Sequence, residues 1–276
     1  MSTTYDLMTT LAIMTQATHE AGEVIMTHYR PGETVSATAE VREKSHNNPL
    51  TKADLEADAL LHQRLLASHP HCGWLSEETA DNPDRLQHRW IWVVDPIDGT
   101  KEFIMGIPQF AISVALVAEG QPVAACIHNP ASKETFTALA GGGAAFNGTT
   151  MHTSVNQELI GASCLASRSE TQRGDWNGFK NEWQITTMGS IAYKLALVAS
   201  GRFDMTFTLT PKNEWDFCAG ALLVQEAGGR ITHKNGDLLQ FNQANPSVRS
   251  VLASNGPLHS QLLVRLRDIP YAPDRH

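Results

Sequence analysis

Trp92-Val93-Val94-Asp95-Pro96-Ile97-Asp98-Gly99-Thr100-Lys101-Glu102-Phe103 runs an apolar strand, opening at Trp90, straight into two carboxylates three residues apart. Pro96 fixes φ between them, and Gly99 lets backbone approach whatever they hold. Two anionic side chains, one backbone carbonyl and a hydroxyl are thereby aimed at one point. Carboxylates gathered without a cation repel one another and take up protons, so the stretch reads as a metal site.

Two distant segments add acids. Leu75-Ser76-Glu77-Glu78-Thr79 ends a short strand, and Glu214-Trp215-Asp216-Phe217-Cys218-Ala219-Gly220 starts a helix. Taken singly, Asp216 is a helix cap, Glu77 and Glu78 a solvated face, and Thr100 a turn residue. Their conjunction carries the metal reading. Every donor is oxygen, which selects hard cations such as Mg²⁺ over zinc.

Around this centre the pattern alternates between the helical and strand periods. Leu7, Leu11, Met14, Ala21, Val24, Ile25 and His28 recur at helical spacing before Pro31-Gly32, predicting a long amphipathic helix. Residues 33–49 read as polar and irregular. Thr51 and Asp54 form a capping pair for a second helix reaching about residue 68. Strands are expected at 73–75, 90–94, 111–118, 122–128 and 135–139, and Asn147-Gly148 reads as a hairpin turn. Strands follow at 162–167, 183–187 and 203–208, with helices at 171–179, 190–200 and 216–227, the last ending at Gly228-Gly229. The weakest seam, at 148–156, divides an N-terminal α+β half, 1–148, from a C-terminal α/β half, 149–276.

The 276 residues carry a net charge of −8 with 42% hydrophobic and 18% charged content, a globular composition without a basic stripe for a nucleic-acid polymer. The longest apolar run, 111–118, is far short of the roughly 20 residues of a membrane helix, and no secretory signal opens the chain. Cys72, Cys126, Cys164 and Cys218 lack metal-ligand spacing and read as reduced, buried thiols, giving a cytoplasmic expectation. His69, His71 and His128 read as structural.

Through these three acidic motifs the chain resembles, roughly from Lys44 to Gly236, the inositol monophosphatase superfamily of lithium-sensitive, Mg²⁺-dependent phosphomonoesterases. Gly99-Thr100-Lys101-Glu102-Phe103, Ser167-Arg168-Ser169, and Gly189-Ser190 with Lys194 are similar to its 3′(2′),5′-bisphosphate nucleotidase branch. The resemblance implies a layered αβαβα sandwich of the α/β class and two or three Mg²⁺ ions per active site. It implies a small phosphorylated substrate and, as in some relatives, a homodimer. Two positions depart from the nucleotidase pattern. Thr208 stands where an arginine for the second phosphate is expected, with Lys212 the nearest cation. His46 or Asn48 stands where the family places an aspartate behind its motif threonine.

On this reading Asp95 bridges two cations, Glu77 and the Ile97 carbonyl complete one site, and Asp98 and Asp216 complete the other. Glu77 and Thr100 orient the attacking water and take its proton, with Asp98 in the catalytic set. Gly99, Thr100, Lys101, Ser190, Lys194 and Asp216 form the expected substrate contacts. The expected reaction is removal of the 3′-phosphate of adenosine 3′,5′-bisphosphate. The alternative is hydrolysis of inositol phosphate, histidinol phosphate or a related small ester. A third expectation, motivated by the missing aspartate, is a non-catalytic regulatory protein of the same fold.

Overall fold

The computed structural model describes residues 5–34, 42–45 and 48–271. Helix α1 (Leu7–His28) is capped by the Asp6 side chain and buries Met14, Ala21 and Ile25 of the predicted stripe. Within the stretch read as irregular, β1 (Arg42–Ser45) pairs antiparallel with β2 (Asn48–Leu50). Thr51 then opens α2 (Lys52–Ser68) with the predicted box: its hydroxyl caps the Asp54 amide while the Asp54 carboxylate caps the Thr51 amide.

The central sheet follows in chain order. It comprises β3 (Gly73–Ser76), β4 (Trp90–Asp98), then α3 (Thr100–Ile104), β5 (Ala111–Ala118), β6 (Gln121–Asn129), β7 (Glu134–Leu139), β8 (Gly143–Phe146) and β9 (Thr149–Met151). The seven strands lie side by side in that order, with β3 and β4 parallel and the rest antiparallel. Asn147 and Gly148, both at positive φ, make the predicted turn from β8 to β9.

The second half contributes β10 (Ser163–Ser167), α4 (Arg168–Arg173), β11 (Gln184–Met188), α5 (Ile191–Ala199), β12 (Met205–Thr208), β13 (Lys212–Asn213) and α6 (Glu214–Glu226). It continues with β14 (Arg230–Thr232), β15 (Ser247–Val248), β16 (Val251–Ser254) and α7 (His259–Leu266), beyond the last element read from sequence. The second sheet runs β11-β10-β12-β16-β14, and β13 pairs with β15. The helix expected at 171–179 is broken. Gly174, in the left-handed conformation, ends α4, and Asn177–Phe179 forms a separate 3₁₀ turn. That break lets Trp176 and Phe179 pack on Phe207.

Alternation along β4 explains the layering. Trp90, Trp92 and Val94 bury against α1 and α2, whereas Ile91 and Val93 join the core formed with α5 and α6. A strand covered on both faces reads as an unbroken apolar run, as this one does. Beyond α5 and α6 lies the second sheet, whose outer face packs Leu258, Leu262 and Leu266 with Trp176 and Phe179. The result is the expected five-layer αβαβα sandwich.

Candidate active site

β4 does not stop at Val94. It continues to Asp98, and its register against β5 slips between Asp95 and Asp98. In a regular strand, residues three apart face opposite sides. The irregularity, around a Pro96 that donates no ladder bond, lets both carboxylates line one cavity. The Glu77 amide donates to the Val94 carbonyl (3.3 Å), carrying the β3–β4 pairing one residue further and bringing Glu77 alongside. Asp216 arrives from the first turn of α6, where one oxygen accepts from the Asn213 amide at 2.9 Å. The helix-cap reading of Asp216 and its place in the acidic cluster therefore hold together.

One carboxylate oxygen from each of Glu77, Asp95 and Asp216 lies within 4.8 Å of the others. Asp95 is 1% exposed. Its Oδ1 accepts from the Ile97 amide at 3.0 Å, and its buried Oδ2 has no hydrogen-bond partner. Burial, then repulsion from Glu77, Asp98 and Asp216, holds the Asp95 carboxyl well above the usual range. Burial likewise pushes Asp216 up to about 8 against the pull of Lys212, with Asp98 and Glu77 adding to the rise. An orphaned buried oxygen among mutually repelling acids fits a divalent cation, which satisfies the oxygen and cancels the repulsion.

Asp98 lines the same 280 Å³ cavity with Ile97 and Thr100 but is tied to a different element. Its Oδ2 accepts from the Ser190 hydroxyl (2.7 Å) and the Ala192 amide (2.5 Å) at the start of α5. Burial pushes it up to about 6, opposed by those two hydrogen bonds and by Lys212 and Lys194. Thr100 donates toward the Ile97 carbonyl (3.0 Å) and toward Asp54 Oδ1 (3.4 Å). Nothing in the spacing of residues 46 apart announced the Asp54 contact. His46 and the side chain of Asn48 lie outside the described residues.

A second cavity, of 410 Å³, shares Asp98, Lys101, Glu102 and Lys212 with the first and adds Arg168, Ser190 and Lys194. Lys194, 2% exposed, is pushed down to about 8 by burial, while Glu170 works to keep it charged. Arg168 pairs with Glu102 at 3.1 Å. Glu102 presses so close to Gly189 that a Cβ there would lie 2.1 Å from its carboxyl carbon. The predicted contacts therefore divide: Gly99, Thr100 and Asp216 line the first cavity, Ser190 and Lys194 the second, and exposed Lys101 the boundary. Lys212, Arg168 and Glu102 were missing from the predicted set, although all three sit in or beside the quoted motifs.

Thr208, the residue that stands where the nucleotidase pattern has an arginine, lines neither cavity. It is 1% exposed and donates to Glu170 at 2.5 Å, so it serves the acid behind Lys194 instead of facing either cavity. His69 and His128 are structural, hydrogen-bonded to Thr10 and Thr135 respectively.

A sequence model of the inositol monophosphatase family matches residues 6–270. The chain belongs to the inositol monophosphatase family. It is 34% identical over 262 residues to an inositol-1-monophosphatase of Mesorhizobium japonicum, covering 92% of this chain and 94% of that one. It is 31% identical to the Nus factor SuhB of Escherichia coli K12, covering 94% and 96%. Among solved structures, an inositol monophosphatase of Thermotoga maritima superposes with a TM-score of 0.81 at 28% identity, covering 94% of this chain and 98% of the other. The SuhB protein of Bartonella henselae also gives 0.81, at 30% identity, covering 94% and 98%. As a member of this family the chain is a metal-dependent phosphatase, a hydrolase of phosphoric monoesters. No helix among the described residues is long and apolar enough to cross a membrane.

Proposed function

We propose that the protein is a Mg²⁺-dependent monophosphatase of a small phosphorylated polyol of the inositol phosphate kind. The observation that carries the chemistry is the oxygen-only cluster of Glu77, Asp95 and Asp216 beside Asp98, the Ile97 carbonyl and the Thr100 hydroxyl. The inositol-1-monophosphatases among the relatives support the substrate class.

Glu77, Asp95, Asp216 and the Ile97 carbonyl would hold Mg²⁺, with Asp98 at the neighbouring position. When bound, such cations neutralise phosphoryl charge and acidify water. The remaining work falls to the chain itself. Glu77 and Thr100 orient the attacking water and accept its proton. Lys212, which lines both cavities, adds positive charge where the phosphoryl oxygens spread theirs. Ser190 holds Asp98 in place through its 2.7 Å bond. Phosphoryl transfer through a loose transition state asks for positioning and charge more than for a covalent nucleophile.

The second reading is adenosine 3′,5′-bisphosphate. It is favoured by four cations, Lys101, Arg168, Lys194 and Lys212, around the outer cavity, more than a neutral polyol requires. A purified-enzyme panel of inositol 1-phosphate, histidinol phosphate and adenosine 3′,5′-bisphosphate, with Mg²⁺ and with or without Li⁺, separates the readings. The polyol reading expects kcat/KM for inositol 1-phosphate at least tenfold above the bisphosphate. The reverse order replaces it with the second reading, and no turnover of any ester defeats both.

A further inference from the structure

We propose that Arg85, which lines neither cavity, is a positioning residue for the metal acids, bracing the turn that carries Glu77 against the helix that carries Asp216. On the Mg²⁺ reading, which this presupposes, those two carboxylates must stand together before an ion arrives, although they repel each other.

Arg85 sits in the 3₁₀ turn Pro83–Gln87, between β3 and β4, and is 2% exposed. Its Nε and Nη2 fork onto the two oxygens of Asp81, at 2.6 and 2.9 Å. The same guanidinium reaches a segment far along the chain. Nη1 donates to Asn242 Oδ1 at 2.7 Å, and Nη2 donates to the Gln243 carbonyl at 2.9 Å. From the other side Glu214, buried at the first residue of α6, accepts from the amides of Asn242 and Gln243, at 2.6 and 2.9 Å. Residues 242 and 243 are thus gripped between Arg85 and Glu214. The Glu214 amide adds a bond to the Pro246 carbonyl, and β13 pairs with β15, so the segment and the start of α6 are tied several times over.

Each end of this brace leads to a metal acid. Asp216 follows Glu214 in the same helical turn. Glu77 precedes Asp81 on a turn that Asp58 stiffens from α2, accepting from the Ser76 and Thr79 hydroxyls at 2.5 and 2.8 Å. A planar guanidinium, with five N–H donors in fixed directions, can serve two partners at once where an ammonium cannot hold that geometry. Ligands already gathered lose less freedom when an ion binds, so the brace acts on Mg²⁺ affinity. The sign of the effect separates bracing from charge. A cation near the cluster repels Mg²⁺, so loss of its charge alone tightens binding, whereas loss of the brace weakens it.

The test is a calorimetric titration of the purified protein with Mg²⁺ alone, joined to melting temperatures and to Mg²⁺-dependent turnover. Arg85→Met removes charge and fork, Arg85→Lys keeps the charge without the fork, and Asn242→Gly removes only the far partner at a position of positive φ that glycine accepts. All three should weaken Mg²⁺ binding at least fivefold, while kcat at saturating Mg²⁺ falls less than threefold. Arg265→Met is the control. It breaks a forked pair with Glu182 that lines neither cavity, and should lower the melting temperature with Mg²⁺ affinity held within twofold.

Unchanged or tighter Mg²⁺ binding in the Arg85 variants would overturn the proposal and leave Arg85 a structural staple. An equal weakening in Arg265→Met would overturn it too, by tracing the loss to general destabilisation. A wild type that binds no Mg²⁺ would remove the metal reading and this proposal with it. Should the Arg85 variants not fold, Asn242→Gly decides the matter by itself.

Discussion

Asp216 illustrates how one side chain serves two demands. Its carboxylate closes the first turn of α6 through the Asn213 amide and stands within 4.8 Å of Glu77 and Asp95. Without a cation its ionised form is disfavoured there, first by burial and then by repulsion from Asp98 and Glu77, which together push it up to about 8. Asp216→Asn keeps an acceptor for Asn213 and removes one of the repelling charges. The metal-free variant should therefore melt at the wild-type temperature or a few degrees above it. Mg²⁺ should raise the melting temperature of the wild type, since a ligand that binds only the folded state stabilises it, and leave the variant unmoved. Hydrolysis should fall at least 100-fold. A variant that melts well below the wild type and still responds to Mg²⁺ would show that Asp216 is a cap and no more. At this scale the clustered acids were legible as a candidate metal site because their residue types admit few other uses in conjunction. Asp54 was legible only as a cap, because its second oxygen meets a residue distant in sequence.

Elements gain their precision from a few backbone constraints. The turn from β4 into α3 passes through Gly99 at φ 98°, where a Cβ would lie 2.9 Å from the Gln109 carbonyl oxygen and 3.2 Å from the Phe110 Cα. An L-residue is strained at that φ, and both obstacles belong to backbone that cannot swing aside. Gly99→Ala should destabilise the fold by about 2–4 kcal/mol, strain and overpacking combined, read as a lowered denaturant midpoint. Because Thr100 follows directly, turnover should drop at least tenfold. A stable, fully active alanine variant would mean that the turn relaxes without disturbing the site. The strong elements were readable from periodicity: α1 and α2 from the helical period, β4 and β5 from apolar runs. The helix expected at 171–179 was not, since Gly174 and the burial of Trp176 and Phe179 override local preference.

For the molecule as a whole, the packed layers set the acid limit of stability. His259 is fully buried on α7, with Nε2 3.0 Å from the Thr232 hydroxyl and Nδ1 3.0 Å from that of Ser254. Burial, helped by the Arg230 charge, pushes it down to about 4 from an ordinary 6.5. The folded state thus resists a proton that the unfolded chain accepts. Its contribution is complete above pH 6.5 and is lost as pH falls from 6.5 toward 4, about 3 kcal/mol in all. His128, likewise pushed down to about 4 by burial and by His19, acts in the same direction. Melting temperatures from pH 7.5 to 4.5 should fall more steeply for the wild type than for His259→Gln, whose curve lacks this titration. Parallel curves would place the acid sensitivity elsewhere.

The sequence by itself determined the local order and the chemistry. Capping pairs, apolar periods and glycine turns act within a few residues, and an Asp-Pro-Ile-Asp-Gly-Thr loop allows little besides holding a cation. Tertiary structure decided what those pieces face. It made Thr208 a buried partner of Glu170 and set Lys194, Lys212 and Arg168 around one cavity. It also split the two oxygens of Asp54 between a helix cap and the Thr100 hydroxyl. Those outcomes depend on how two sheets close over α5 and α6, and no window of sequence contains the distances that closing creates.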